Sequence, residues 1–331
     1  MIYREKIELI VITAMNKKIL MPMFVILCIA SLFIGVNNIS LTDVINFDSE
    51  KINILLISRL PRLVGLVTAG VGMSIGGVIM QQISNNKFVS PTTAATLDSA
   101  QFGVIIAMMI FPAATLTQKM MISFVFSLIG TFLFMGILKK IKMKNAVFIP
   151  LVGIMVGNVI GSLTEFVAYK HNLVQNVGSF FQGKFALVIK GNYEMLYLTI
   201  PLLIIAFMYA NKFTIIGMGE DISKNLGLDY KKVSNIGITI VALISSLVII
   251  AVGSIPFIGL IVPNLVSLFK GDNVSKNIGI TALFGANFVI LCDIIGRLII
   301  YPYEVSISLT VGVIGSIIFL YLILRRNKNE A

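Results

Sequence analysis

A chain of 331 residues that is 57% hydrophobic and 12% charged, with mean hydropathy +0.97, cannot cover a soluble globule with polar atoms. Two cysteines and one histidine exclude a disulfide framework, and argue by count against a His-based metal centre or catalytic dyad. The net charge of +11 calls for no nucleic acid, because basic loops facing anionic lipid account for it.

A hydrocarbon core of about 30 Å takes roughly 20 apolar residues of helix, with every backbone polar group paired inside the segment. Such runs predict about ten transmembrane helices, at 19–36, 62–82, 94–111, 119–138, 146–168, 194–210, 233–253, 257–270, 278–298 and 306–324. The expected class is an all-α polytopic membrane protein, a single transmembrane domain over 1–331. Most of the 26 Lys and Arg fall on one side of these spans: Arg4, Lys6, Lys17 and Lys18 before the first, then the loops around Lys139–Lys144, Lys212–Lys232 and Lys270–Lys276, and finally Arg325 and Arg326. The positive-inside rule then places both termini in the cytoplasm. The first apolar run is long, holds Pro22 near its start and lacks a small-residue cleavage site, so it does not read as a cleavable signal. Cys28 and Cys292 lie inside apolar spans and read as buried packing.

Along the chain, Arg59 and Arg62 flank Pro61 at the outer start of the second span and share a helix face. They read either as snorkelling to lipid phosphate or as a planar fork for the carboxylates of a soluble partner. The second span is glycine-rich (Gly65, Gly70, Gly72, Gly76, Gly77), and the fifth carries Gly153, Gly157 and Gly161 at four-residue spacing. Small residues so placed let another backbone approach closely, or leave room for a bulky solute. Asn158 and Glu165 in the same span make the fifth helix the preferred path candidate. Asp98 in the third span has no evident partner. Residues 211–232 are too polar to span. Gly219-Glu220-Asp221 resembles a helix start, Ile222, Leu226 and Leu228 an apolar stripe, and Gly227 a helix stop, so a short cytoplasmic helix with a docking face is predicted there. Asp293 and Arg297, four apart in the ninth span, are expected to pair, with Glu304 on an outer polar rim. The sequence carries no GxxxxGK[ST] phosphate loop, no HExxH and no GxSxG. No catalytic, metal or cofactor residue is assigned, and active transport would draw its energy from another chain or an ion gradient.

Four blocks then carry a resemblance. ISRLPRLVGLVTAGVGMSIGGVIMQQISNNKFVSP, GEDISKNLGLDYKK, GSIPFIGLIVPNLVSLFKGDN and CDIIGR resemble, in order and spacing, the hallmarks of the iron-siderophore and vitamin B12 ABC-importer permease family. NKFVSPTTAATLDSAQFG and IPFIGLIVPN are similar to its catecholate-siderophore subgroup, including petrobactin-type permeases. Asn264 stands where the family usually has histidine. The resemblance implies a type II ABC importer permease fold like that of the vitamin B12 permease. It implies a second permease subunit (homo- or heterodimer), two cytoplasmic ATPase subunits and an extracytoplasmic ferric-siderophore-binding protein. Arg59, Arg62 and Arg297 would dock that binding protein. Glu220, Asp221, Asn225, Leu226 and Gly227 would couple to the ATPase. Gly153, Gly157, Asn158, Gly161 and Glu165 would line the path, with the Lys139–Asn145 loop near the inner gate. The expected function is import of ferric siderophore across the cytoplasmic membrane, by a subunit that is not itself an enzyme. The alternatives are a haem or corrinoid permease and an ion-coupled secondary transporter.

Overall fold

The computed structural model describes residues 16–36, 39–93, 95–140, 148–183 and 185–327. Both chain ends, expected in the cytoplasm, and most of the loop expected beside the inner gate lie outside the described residues. Twelve helices build the frame: α1 (Lys17–Phe33), α2 (Leu60–Ser84), α3 (Thr96–Ile110), α4 (Leu116–Lys140), α5 (Phe148–Lys170), α6 (Thr199–Met208), α7 (Ala210–Ile216), α8 (Glu220–Asn225), α9 (Tyr230–Val252), α10 (Ile258–Lys270), α11 (Val274–Leu298) and α12 (Ile307–Asn327). The helix Val174–Phe181 and other short helical segments join them, and the described residues contain no strand.

Each expected span coincides with a helix or a broken pair, but the lengths differ. Among the described residues, five helical stretches are long and apolar enough to cross a bilayer: Ser49–Ser84, Leu116–Ile137, Leu151–Lys170, Tyr230–Val252 and Val274–Leu298. A sixth is reached if α6 and α7, bent by 59°, count as one broken span. The count of ten is therefore not reached on length and composition. α10, with 13 residues, rises only about 20 Å, short of the roughly 30 Å hydrocarbon core.

α2 is the axis of the fold. Its apolar stretch is 72% buried, against 28% for that of α5. Leu66, Met73, Ile75, Ile79 and Met80 form one core with residues of α9, α10 and α11. Two glycines bring backbones into contact. A Cβ on Gly70 would lie 2.6 Å from the Gly285 carbonyl oxygen of α11, and one on Gly77 would lie 1.9 Å from that of Gly259 in α10. The glycine-rich second span is thus a tight helix seam, which in lipid replaces the hydrophobic effect as the source of cohesion. Cys292 is buried in this core and Cys28 packs against it.

Candidate functional site

The polar machinery lies at the two ends of α2 and on the outward face of α5. At the outer end, two arginines, Arg62 and Arg297, meet two carboxylates, and Arg59 lies beside them. Arg62 Nη2 lies 2.8 Å from Asp293 Oδ1 and Arg62 Nη1 lies 2.9 Å from Glu304 Oε2. Arg297 Nη2 lies 2.7 Å from Asp293 Oδ2. Arg297 also donates to the Ser31 and Ile34 carbonyls at 2.9 and 2.7 Å, and Arg59 donates to the Leu32 carbonyl at 2.6 Å. These carbonyls belong to the open C-terminal end of α1, where cationic donors are favoured.

The expected Asp293–Arg297 pair is present, and Glu304 joins the same network. The three arginines expected to dock a partner are brought together but turned inward. Arg59 and Arg297 are 7% and 4% exposed, and the Arg62 side chain is 12% exposed. The terminal nitrogens of Arg62 and Arg297, and Nη1 of Arg59, are met by this chain's own oxygens. The Arg62–Asp293 contact joins residues 231 apart, and nothing in the sequence announces it.

At the inner end, the polar segment folds as expected. α8 begins at Glu220, with Glu220 and Asp221 in its first turn and Lys224 pairing back to Glu220 at 2.7 Å. That bond holds the Lys224 ammonium above its ordinary pKa. Gly227, at φ +76, closes the helix. Its N–H donates to the Lys224 carbonyl and that of Leu228 donates to the Ser223 carbonyl, which is the Schellman pattern. Ile222 and Leu226 are 48% and 61% exposed, Asn225 is exposed, and Leu228 packs against the core. Ser223 is buried, and its hydroxyl donates to the Gly219 and Ile215 carbonyls, fixing α8 onto α7.

A clasp beside it was not legible from sequence. Lys87 pairs with Asp272, whose carboxylate also accepts from Ser267. Asn264, in the place where histidine was expected, donates to the Lys87 and Leu260 carbonyls at 2.7 and 2.8 Å. Burial works to raise the Asp272 carboxyl, but the bonds from Lys87 and Ser267 and the Lys87 charge prevail and hold it below its ordinary value. A depressed carboxyl contributes stability above its unfolded pKa and loses it only as pH falls through the folded value. The difference in unfolding temperature between wild type and Asp272→Asn is therefore expected to stay constant from about pH 8 to about pH 5. A difference that shrinks over this window would rule the clasp out.

The path set divides. Gly153 and Gly157 are buried, and a Cβ on Gly157 would lie 2.4 Å from Asp98 Oδ2 of α3. A Cβ on Gly161 would lie 3.5 Å from Asp98 Oδ1. Gly157 and Gly161 thus serve the α3–α5 contact and seat Asp98. Asn158, Ser162 and Glu165 are exposed on a different face of α5, about 100° around the helix from the glycines. Spaced by four and three residues, they share one face.

A profile of the FecCD transport family matches residues 23–325. The petrobactin import system permease protein YclN of Bacillus subtilis (strain 168) is 55% identical over 94% of this chain and 99% of its own length. The ferric-anguibactin transport system permease protein FatD of Vibrio anguillarum (strain ATCC 68554 / 775) is 36% identical over 92% of this chain and 97% of its own length. A solved structure described as an inward-facing conformation of a metal-chelate type ABC transporter superposes with a TM-score of 0.82 at 22% identity, covering 92% of this chain and 97% of that one, and shares the fold. With nearly the whole described chain matched, from α1 to α12, this protein belongs to the FecCD transport family.

Proposed function

We propose that this chain is the membrane-embedded permease of an ABC importer for ferric siderophore, with petrobactin as substrate. The observation that carries the substrate is the 55% identity to a petrobactin import permease along almost the whole of both chains, against 36% to a permease for ferric-anguibactin. The physical features agree with the reading. A ferric chelate is too large and polar to cross hydrocarbon and needs a lined path. The polar face of α5 (Asn158, Ser162, Glu165) sits on a membrane-crossing helix, where exposure to lipid is costly. It would face a water-filled path closed on its other side by a second permease subunit.

Energy would come from two ATPase subunits seated against Glu220–Gly227, with the exposed Ile222 and Leu226 as apolar contacts. The permease itself would catalyse no reaction. An extracytoplasmic binding protein would deliver the chelate to the outer end of α2. Arg59, Arg62 and Arg297 would serve that docking by holding the ends of α1, α2 and α11 in register.

Uptake of radioactive iron supplied as ferric petrobactin tests the reading, in cells with and without the gene. Loss confined to ferric petrobactin and related catecholates, restored by the intact gene, is expected. Loss of haem or hydroxamate uptake instead would keep the permease and overturn the substrate.

A further inference from the structure

The inner end of α2 carries two adjacent buried glutamines that neither the path nor the outer cluster uses. Gln81 and Gln82 are 4% and 9% exposed. Gln81 Nε2 donates to the Leu260 carbonyl of α10 at 3.5 Å. Gln82 turns the other way, onto Gly217, the residue after α7 that leads into α8. A Cβ on Gly217 would lie 1.6 Å from Gln82 Oε1 and 2.7 Å from its Cδ. Gly217 has an ordinary helical φ of −62, so the backbone does not demand glycine there. A side chain there would have to push aside the amide end of Gln82, which is itself buried.

The far side of the same segment is tied to the next residue of α2. Tyr230, the first residue of α9, donates its hydroxyl to the Ile83 carbonyl at 3.3 Å. A Cβ on Gly237, two turns further along α9, would lie 2.6 Å from Ile83 Cδ1. The segment 217–230 is thus seated at both ends on Gln82 and Ile83, and Ser223 stops α8 from moving independently of α7. The 25 residues of α2 rise about 37 Å, from the arginine cluster to these contacts. Its glycine seams to α10 and α11 leave no compliant layer. Close-packed elements of this kind shift as units between discrete arrangements.

We propose that Gln82, Gly217 and Tyr230 are positioning residues of the transport cycle. They fasten the coupling segment to the inner end of α2, so that displacement of α8 is delivered along α2 to the outer cluster. This rests on the reading of Glu220–Gly227 as the ATPase contact.

The test uses the full chain in its own complex, with Gly217→Val, Gln82→Ala, their double variant, Gly217→Ala and Tyr230→Phe. Three quantities are read: permease level in the membrane, ATPase subunit retained on the purified permease, and uptake of iron given as ferric petrobactin. Gly217→Val should keep level and retention within about twofold while lowering uptake at least about tenfold, since it wedges the segment off Gln82. Gln82→Ala alone should lower uptake only about threefold. The double variant should recover to near that value, because the added methyls enter the vacated space, a non-additivity a general structural defect does not produce. Tyr230→Phe should lower uptake about two- to fivefold with retention unchanged. If Gly217→Val lowers the permease level, the Gly217→Ala pair with Gln82→Ala is read in its place.

Normal uptake in Gly217→Val, or a double variant no better than the single, overturns the proposal. So does loss of ATPase retention in Gly217→Val, which would place Gly217 in the ATPase contact itself. Leu226→Asp separates the underlying reading: if retention survives that change on the exposed face of α8, the segment is not the ATPase contact.

Discussion

Replacing Arg297 with alanine is expected to destabilise the protein by about 3–5 kcal/mol, because it strips one partner from a buried ion cluster. Asp293 is 3% exposed and shared between Arg297 and Arg62. Without Arg297, the carboxylate keeps only Arg62, whose other nitrogen is committed to Glu304. The Ser31 hydroxyl and the Ser31 and Ile34 carbonyls lose their donor at the same stroke. Arg62→Ala should cost less, since Asp293 retains Arg297 and the abandoned Glu304 side chain is 28% exposed and can hydrate. Removing both charges, as Asp293→Leu with Arg297→Met, should be milder than Arg297→Ala, because no uncompensated charge stays behind. Thermal unfolding of the purified permease and its level in membranes measure all three. Direct docking of a partner by Arg297 makes the opposite forecast: an Arg297→Ala protein that unfolds normally, accumulates normally and fails only in uptake. That result would return the arginine to the outer surface and refute the structural role argued from its burial.

What could be read from sequence follows the range of the forces involved. Helix positions were legible because an apolar run in lipid has one backbone solution. The Asp293–Arg297 pair was legible because four residues on a helix is a contact distance. The short helix α8 was legible from its acidic first turn and its glycine stop, both local signals. The partners across helices were not. Arg62 with Asp293, Gly217 with Gln82 and Lys87 with Asp272 are joined only by tertiary packing, and single-sequence spacing carries no trace of them. The path set shows the same limit inside one helix. A four-residue glycine period names a face but not its direction. Asn158 is one residue past Gly157 and so lies about 100° around the helix, on the exposed side. The bounds of α10 were also legible: the span expected at 257–270 is the helix Ile258–Lys270, closed by Phe257 and Gly271 and too short to cross by itself.

Gly227→Pro should abolish uptake, by at least about twentyfold, while leaving membrane insertion and level intact. Gly227 sits at φ +76, a region proline cannot enter with its ring fixed near −65°. Proline also removes the N–H that donates to the Lys224 carbonyl, and with it the turn that lets Leu228 close on Ser223. The exposed Ile222 and Leu226 would then lose the rigid base that presents them. Insertion should survive because the position carries no core contact: a Cβ there meets nothing within 4 Å. The same open space makes Gly227→Ala a graded control. It meets no neighbour and carries only the cost of a left-handed backbone, about 1–2 kcal/mol, so its uptake should fall between that of Gly227→Pro and wild type. Uptake of radioactive iron as ferric petrobactin, normalised to permease level, reads both variants. Wild-type uptake in Gly227→Pro would mean that the α8 turn is a passive connector, and the coupling role would have to be sought elsewhere on the inner face. A loss in alanine as deep as in proline would instead show that left-handed geometry at this one residue, rather than the hydrogen-bonded stop, sets the presentation of α8.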